Sequence, residues 1–335
     1  MRALILDHVD ARFREVALDR PIPKAGEVLV RIHASGVNPL DLKIRSGQAA
    51  HARHPLPAIL GLDLAGVVEE PGPGVSQFLR GDAVYGLTGG VGGIQGSLAE
   101  FAAVDAQLLA KVPEGLSLRE AAALPLVFIT AWEGLVDRAG VQAQQKVLIQ
   151  GAGGVGHIAI QIARAFGAEV FATGSARRHQ DIEHLGATAI DYHRSGVEEY
   201  VGAHTAGRGF DLVYDTVGGA TLDACFRAVR RFGHVVSCLG WGSHALAPLS
   251  FRAATYSGVF TLLPLLTGEG RAHHGDLMRE ATRLVEANQI APHLDAEQFD
   301  FSSIEAAYQR VGQGQVNGKV VVDVGEALQH RGVIR

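Results

Sequence analysis

The stretch from Lys146 to Arg178, KVLIQGAGGVGHIAIQIARAFGAEVFATGSARR, decides the fold. It opens on Val147-Leu148-Ile149, an apolar run of strand length, and passes into Gly151-Ala152-Gly153-Gly154-Val155-Gly156, a G-x-G-x-x-G. His157 to Phe166 then predicts a helix ending at Gly167, and Val170-Phe171-Ala172-Thr173 predicts a second strand. A bare G-x-G-x-x-G is weak, but one that follows a strand and opens a helix is a dinucleotide loop. Gly151 permits the tight turn, Gly153 lets backbone approach a pyrophosphate, and Gly156 lets helix and strand pack closely. The helix N-terminus offers unpaired N–H groups and a positive dipole end to phosphate, and Gly154 and Val155 are expected cofactor contacts beside it. The competing reading is a glycine-rich turn with no ligand, and the context weighs against it.

The end of the second strand bears on which dinucleotide. An NAD site places Asp or Glu about 20 residues on, to accept from the ribose 2′-hydroxyl. Here Thr173-Gly174-Ser175-Ala176-Arg177-Arg178 carries no carboxylate. Ser175, Arg177 and Arg178 stand where a 2′-phosphate would lie, and guanidinium binds phosphate through charge-assisted bonds. The alternative is a solvated helix start. NADPH is the expected cofactor. Tyr192 closes the next strand, where it either packs near the adenine or is an ordinary strand aromatic.

Outward from this stretch the βαβ rhythm continues. His179 to Leu185 predicts a helix, Ala189 to Tyr192 and Leu212 to Tyr214 strands, Ala220 to Arg231 a helix ending at Gly233, and Val235 to Leu239 a strand. Strands alternating with helices imply a doubly wound parallel sheet. Val217 and Gly240, each just past a strand, are further expected cofactor contacts. Residues 1 to about 115 read differently, with strands at Val28 to Ile32 and Gly66 to Glu69, dense Pro/Gly turns and little helical periodicity, as in a β-barrel. Between the two, Ser117 with Glu120 forms a capping box, and the helix that follows restarts at Pro125. After about residue 265 the rhythm is lost. Asp276 to Asn288 and Ser303 to Val311 predict helices, the latter capped by Ser302 or Ser303, and Val320 to Val324 predicts a strand. This tail cannot bury a core alone and is expected to rejoin the first domain.

Composition narrows the function. Thirty basic and 35 acidic residues, with no basic run, argue against nucleic acid. Two cysteines, Cys225 and Cys238, cannot supply a zinc cluster or a disulfide framework. The opening MRALILDHVDARFREV is charged too early for a signal peptide, and no apolar run is long enough to span a membrane. A cytoplasmic setting is expected.

Several ordered stretches together carry a family resemblance: MRALIL, PIPKAGEVLVRIHASGVNPLDLKIRSG, GLDLAGVV, GDAVYG, LPLVFITAWEGL, GAGGVG, DTVGG and NGKVVV. The chain resembles the medium-chain dehydrogenase/reductase superfamily, and within it the ζ-crystallin-like quinone oxidoreductases. The resemblance implies an α/β protein with a GroES-like β-barrel catalytic domain (1–120 and 266–335), a Rossmann NADP-binding domain (121–265), and an active site in the cleft between them. Zinc enzymes of the superfamily carry a Cys-His pair where Asn38-Pro39 stands here, and Gly-His-Glu where Gly61-Leu62-Asp63 stands. Their four-cysteine lobe is missing too, so no catalytic zinc is expected. Without a metal to polarise an alkoxide, reduction of an electron-poor quinone or α,β-unsaturated carbonyl is the expected chemistry.

By the same resemblance Asn38 and Asp41 lie at the cleft, Asn38 beside the nicotinamide or substrate, and Arg45 braces their loop through Asp41. Thr130 approaches the cofactor from the Rossmann side, and Asn317 and Lys319 return to it from the C-terminal segment. Lys43 and Ala49 stand where relatives often have tyrosine, which leaves Lys43, His51 or solvent as proton donor. A small-molecule substrate and a homodimer, joined at the sheet edge near Tyr256 to Leu263, complete the expectation. Two alternatives stay open: an NADPH-binding structural or regulatory protein with little turnover, and a zinc-type alcohol dehydrogenase.

Overall fold

The computed structural model describes residues 1–314 and 316–325. Gln315 and the last ten residues of the expected 266–335 segment lie outside them. The chain forms two units. One comprises Met1–Leu126, Leu262–Glu286 and the C-terminal part from Pro292. The other comprises Val127–Thr261 and Ala287–Ala291.

The first unit is antiparallel, apart from one short parallel pair at its sheet end. Its main sheet is organised on the ten-residue strand Glu27–Gly36, which pairs with Asp63–Pro71, Phe101–Asp105 and Val321–Asp323. Asp63–Pro71 continues to Ala83–Leu87 and Leu109–Lys111. Alternation drives this arrangement: Val28, Val30, Ile32 and Ala34 are buried, as are Leu64 and Val68 opposite. The C-terminal strand joins this sheet as expected, so the chain returns to its first domain.

The second unit is a six-stranded parallel sheet: β1 (Lys146–Gln150), β2 (Glu169–Gly174), β3 (Thr188–Asp191), β4 (Phe210–Asp215), β5 (Val229–Ser237) and β6 (Thr255–Gly258), in the order β3-β2-β1-β4-β5-β6. This is the Rossmann strand order, with its switch point between β1 and β4. Helices α1 (Gly154–Ala165), α2 (His179–His184), α3 (Val197–Thr205) and α4 (Ala220–Ala228) connect the strands. The apolar faces of α3 and α4 pack on the sheet, with Tyr200, Leu222 and Phe226 against Leu148, Phe171 and Val213.

Two local expectations need correction. The helix expected over Ala220 to Arg231 ends at Ala228, because Val229 already pairs with Phe210 and opens β5. Arg230 is held out as a strand residue by its 2.6 Å ion pair with Asp211. Ser303 stands at the N-cap of the C-terminal helix Ile304–Gly312, as expected, but its side chain makes no capping hydrogen bond to that helix. Asp300 instead accepts from Ser303 and caps the preceding short 3-10 turn. Ser117 and Glu120 do form the reciprocal cap, and the helix restarts at Pro125.

Candidate functional site

The dinucleotide loop is built as its glycines require. Gly151 has φ +89°, a left-handed conformation that L side chains avoid. A Cβ on Gly156 would lie 1.8 Å from the Gly151 carbonyl oxygen, so this position admits only glycine. Gly153 caps α1 and faces open space, leaving the first N–H groups of Gly154 and Val155 approachable. The loop is held from both flanks. Thr173 at the end of β2 accepts from Gly151 N at 3.0 Å and donates to Gln150 Oε1 at 2.8 Å. Thr216 after β4 donates to the Gln150 carbonyl at 2.7 Å. Val217 is half-exposed, with a methyl against Gly151.

At the end of β2, Ser175 precedes a 3-10 turn over Ala176–Arg178, and Arg177 is exposed. Arg178 pairs with Asp181 at 3.5 Å. Tyr192 is 55% exposed just past β3, its ring tilted 42° against that of His193 with centroids 4.2 Å apart. Gly240 is exposed in the segment after β5. Thr130 is buried, its hydroxyl 3.0 Å from that of Thr261 and its carbonyl accepting from Tyr214 at 2.6 Å.

The first unit brings together Asn38, Asp41 and Lys319, and adds Asp63. Asn38 ends the strand Glu27–Gly36 and opens the helix Pro39–Arg45. Its amide nitrogen donates to Asp63 Oδ2 at 2.9 Å, and its amide oxygen accepts from the Lys319 ammonium. Lys319 also donates to the Val37 carbonyl and to Asp63 Oδ2, each at 3.3 Å. An ammonium has three protons, and three acceptors use them. Asp63 Oδ1 takes the Leu126 backbone N–H at 2.8 Å. The four side chains are buried, Asp41 and Asp63 completely.

Asp41 Oδ2 accepts the Asn38 backbone N–H at 2.8 Å, while Oδ1 is buried without a well-aligned donor. Burial raises the Asp41 carboxyl to about 7, with the Asp63 charge adding to the rise and the Asn38 N–H, Lys319 and the Gly61 N–H opposing it. Asp63 is raised as well, chiefly by burial, against the pull of Lys319 and Asn38.

Four expected residues are placed otherwise. Lys43 is exposed. Burial and the Lys43 charge hold the His51 imidazole below its ordinary range. Arg45 does brace the loop, but not through Asp41. It donates to Glu305 at 2.8 Å and to the Ala11 carbonyl, over the rings of Phe13 and Tyr308. Asp41 is turned back to the helix start, out of its reach. Asn317 is exposed, with its backbone N–H on Asp295 at 2.9 Å. Sequence reasoning missed Asp63, Thr173, Thr216 and Asp215. Only GLDLAGVV and DTVGG, already noted as motifs, could have pointed to Asp63, Asp215 and Thr216.

An antiparallel unit and a 3-2-1-4-5-6 parallel sheet with a glycine loop define the fold class. Residues 24–114 match the alcohol dehydrogenase GroES-like domain, and residues 185–322 match the zinc-binding dehydrogenase domain. A chloroplastic NADPH-dependent alkenal/one oxidoreductase of Arabidopsis thaliana is 32% identical over 90% of this chain and 73% of its own. A crystal structure of an alcohol dehydrogenase superfamily protein from Novosphingobium aromaticivorans is 58% identical with TM-score 0.95, covering 97% of this chain and all of that one. The quinone oxidoreductase of Coxiella burnetii is 27% identical with TM-score 0.81, covering 97% of this chain and 99% of that one. The chain also matches two mycobacterial polyketide synthases at 36% identity, but spans only 18% and 14% of their lengths. The chain belongs to the medium-chain dehydrogenase/reductase superfamily, in its quinone oxidoreductase branch.

Proposed function

We propose that the protein is an NADPH-dependent, zinc-independent reductase of quinones or α,β-unsaturated carbonyls. The observation that carries this reading is the end of β2, where Ser175, Arg177 and Arg178 replace the carboxylate of an NAD site. The glycine loop would hold the pyrophosphate, and the two guanidinium groups the 2′-phosphate. NADPH supplies a hydride from C4 of its nicotinamide. The reading takes support from a relative whose name states NADPH and an alkenal/one substrate.

Residue chemistry favours the zinc-independent half. Leu62 has no lone pair to offer. Asn38 Oδ1 and Asp63 Oδ2 are spent on a lysine ammonium, an internal cation in its own right, and Asp63 Oδ1 on the Leu126 N–H. We assign Asn38 and Lys319 to positioning: with its three protons used, Lys319 has none left for a phosphate. The acceptor must then be electron-poor on its own account, as quinones and enones are. Solvent is the preferred proton source, since His51 is held neutral at physiological pH.

The same proposal includes a homodimer through β6, an edge strand of the sheet, and a cytoplasmic setting. No helix among the described residues is long and apolar enough to cross a membrane. The test is NADPH oxidation, followed by absorbance, against a quinone panel and an enone panel. Turnover on either panel, with NADH a much poorer donor, is expected. NADPH binding without turnover on any member would instead favour a structural or regulatory role.

A further inference from the structure

We propose that Asp215 is the positioning residue of the nicotinamide half of the dinucleotide site, which rests on the NADPH reading above. In a 3-2-1-4-5-6 sheet the first mononucleotide half is β1 to β3 and the second is β4 to β6, with the ligand across the carboxyl ends at the switch point. The glycine loop and the arginines belong to the first half, so the adenine lies there. The nicotinamide then falls to the loops after β4 and β5.

Asp215 is the last residue of β4 and is completely buried. One oxygen accepts from Val217 N at 3.1 Å and Gly218 N at 2.9 Å. The other accepts from Gly218 N at 3.1 Å and from the Ser237 hydroxyl at 2.6 Å. Ser237 ends β5 and in turn accepts from Leu239 N at 3.0 Å. The Asp215 backbone carbonyl oxygen takes the Cys238 N–H at 3.2 Å. One carboxylate thus sets both loops, those carrying Val217 and Gly240.

The loops are also fitted to each other. Gly218 has φ +81°, and a Cβ there would come 2.7 Å from the Leu239 carbonyl oxygen. Val217, fixed through its N–H, lies against Gly151, the first glycine of the phosphate loop. A buried carboxylate that receives two backbone N–H groups and a hydroxyl is costly to replace, because each donor would be left unsatisfied. Its distance from the arginines gives the role a signature: it acts on the nicotinamide end and is blind to the 2′-phosphate.

The experiment is calorimetric titration of wild-type protein, Asp215→Asn and Ser237→Ala with NADPH, NADH and adenosine 2′,5′-bisphosphate, which engages only the adenine half. Melting temperatures are measured alongside. Asp215→Asn is expected to weaken NADPH and NADH by the same factor, ~10-fold or more, and to leave the bisphosphate within ~2-fold. Ser237→Ala is expected to act in the same direction at roughly 3-fold. A folded Asp215→Asn with unchanged NADPH affinity overturns the inference. So does one that loses the bisphosphate in step with NADPH, which would mark a purely structural residue. If Asp215→Asn does not fold, Ser237→Ala decides by the same two comparisons. Wild-type protein that binds no dinucleotide overturns the function proposed above, and this inference with it. Tight wild-type binding with an indifferent variant overturns this inference alone.

Discussion

The two units hold their polar groups in opposite ways. Around Asn38 the charges are buried and spend their hydrogen bonds on one another. Around Gly151 the backbone is pinned from behind by Thr173 and Thr216, while the helix start and Arg177 face outward. The first arrangement fixes chain segments far apart in sequence, and the second leaves donors unspent. A side chain with no free donor is a brace, whereas an exposed arginine after the second strand fits the 2′-phosphate role proposed above.

The contrast is broken most severely at the buried ion pair. Lys319→Met leaves Asp63 charged and uncompensated, and should cost roughly 3–5 kcal/mol in urea unfolding. Lys319→Met with Asp63→Asn should recover most of that, since the penalty comes from the orphaned charge. If the double variant is as unstable as the single one, the brace depends on something other than charge.

The next effect is one of pH. Asp41 keeps its proton to about 7 in the folded state, whereas an ordinary aspartate releases it near 3.8. The folded form therefore binds this proton more tightly. Its contribution to stability is complete below the unfolded value, falls as pH rises from there to about 7, and is level beyond. The span is at most on the order of 4 kcal/mol. Asp41→Asn should flatten this part of the stability profile, and a profile that keeps its slope would remove Asp41 as the cause.

The outward-facing side is probed by Arg177→Ala with Arg178→Ala. NADPH should weaken ~10- to ~100-fold while NADH changes little, as read from dissociation constants. Equal weakening of both would dismiss the phosphate role. The smallest effect is at the cap Ser117, whose hydroxyl and backbone pair with Glu120. Ser117→Ala should cost about 1 kcal/mol without touching either site.

Much of the second unit was legible from local pattern. The glycine loop and the strands around it, like the cap at Ser117 in the first unit, each depend on residues a few positions apart. The helix Val197–Thr205 was not legible, because two short turns of modest amphipathicity barely rise above a loop. The end of the helix at Ala228 was hidden too, since it is set by pairing of Val229 with Phe210 across the sheet. Arg45 was rightly read as a brace, but its partner Glu305 is 260 residues away.

The sequence by itself determined the dinucleotide loop, because left-handed Gly151 and the close approach at Gly156 are demands that only glycine meets. It also put Asn38-Pro39 and Leu62 where zinc enzymes of the superfamily carry ligands, and a leucine side chain has no lone pair wherever it sits. Only the tertiary structure decided that Lys319 is spent on Asn38, Val37 and Asp63, and that Asp215 ties two loops together. Hydrogen bonds between segments 20 to 280 residues apart leave no periodicity or spacing in a sequence. They exist only once the strands that carry them are side by side.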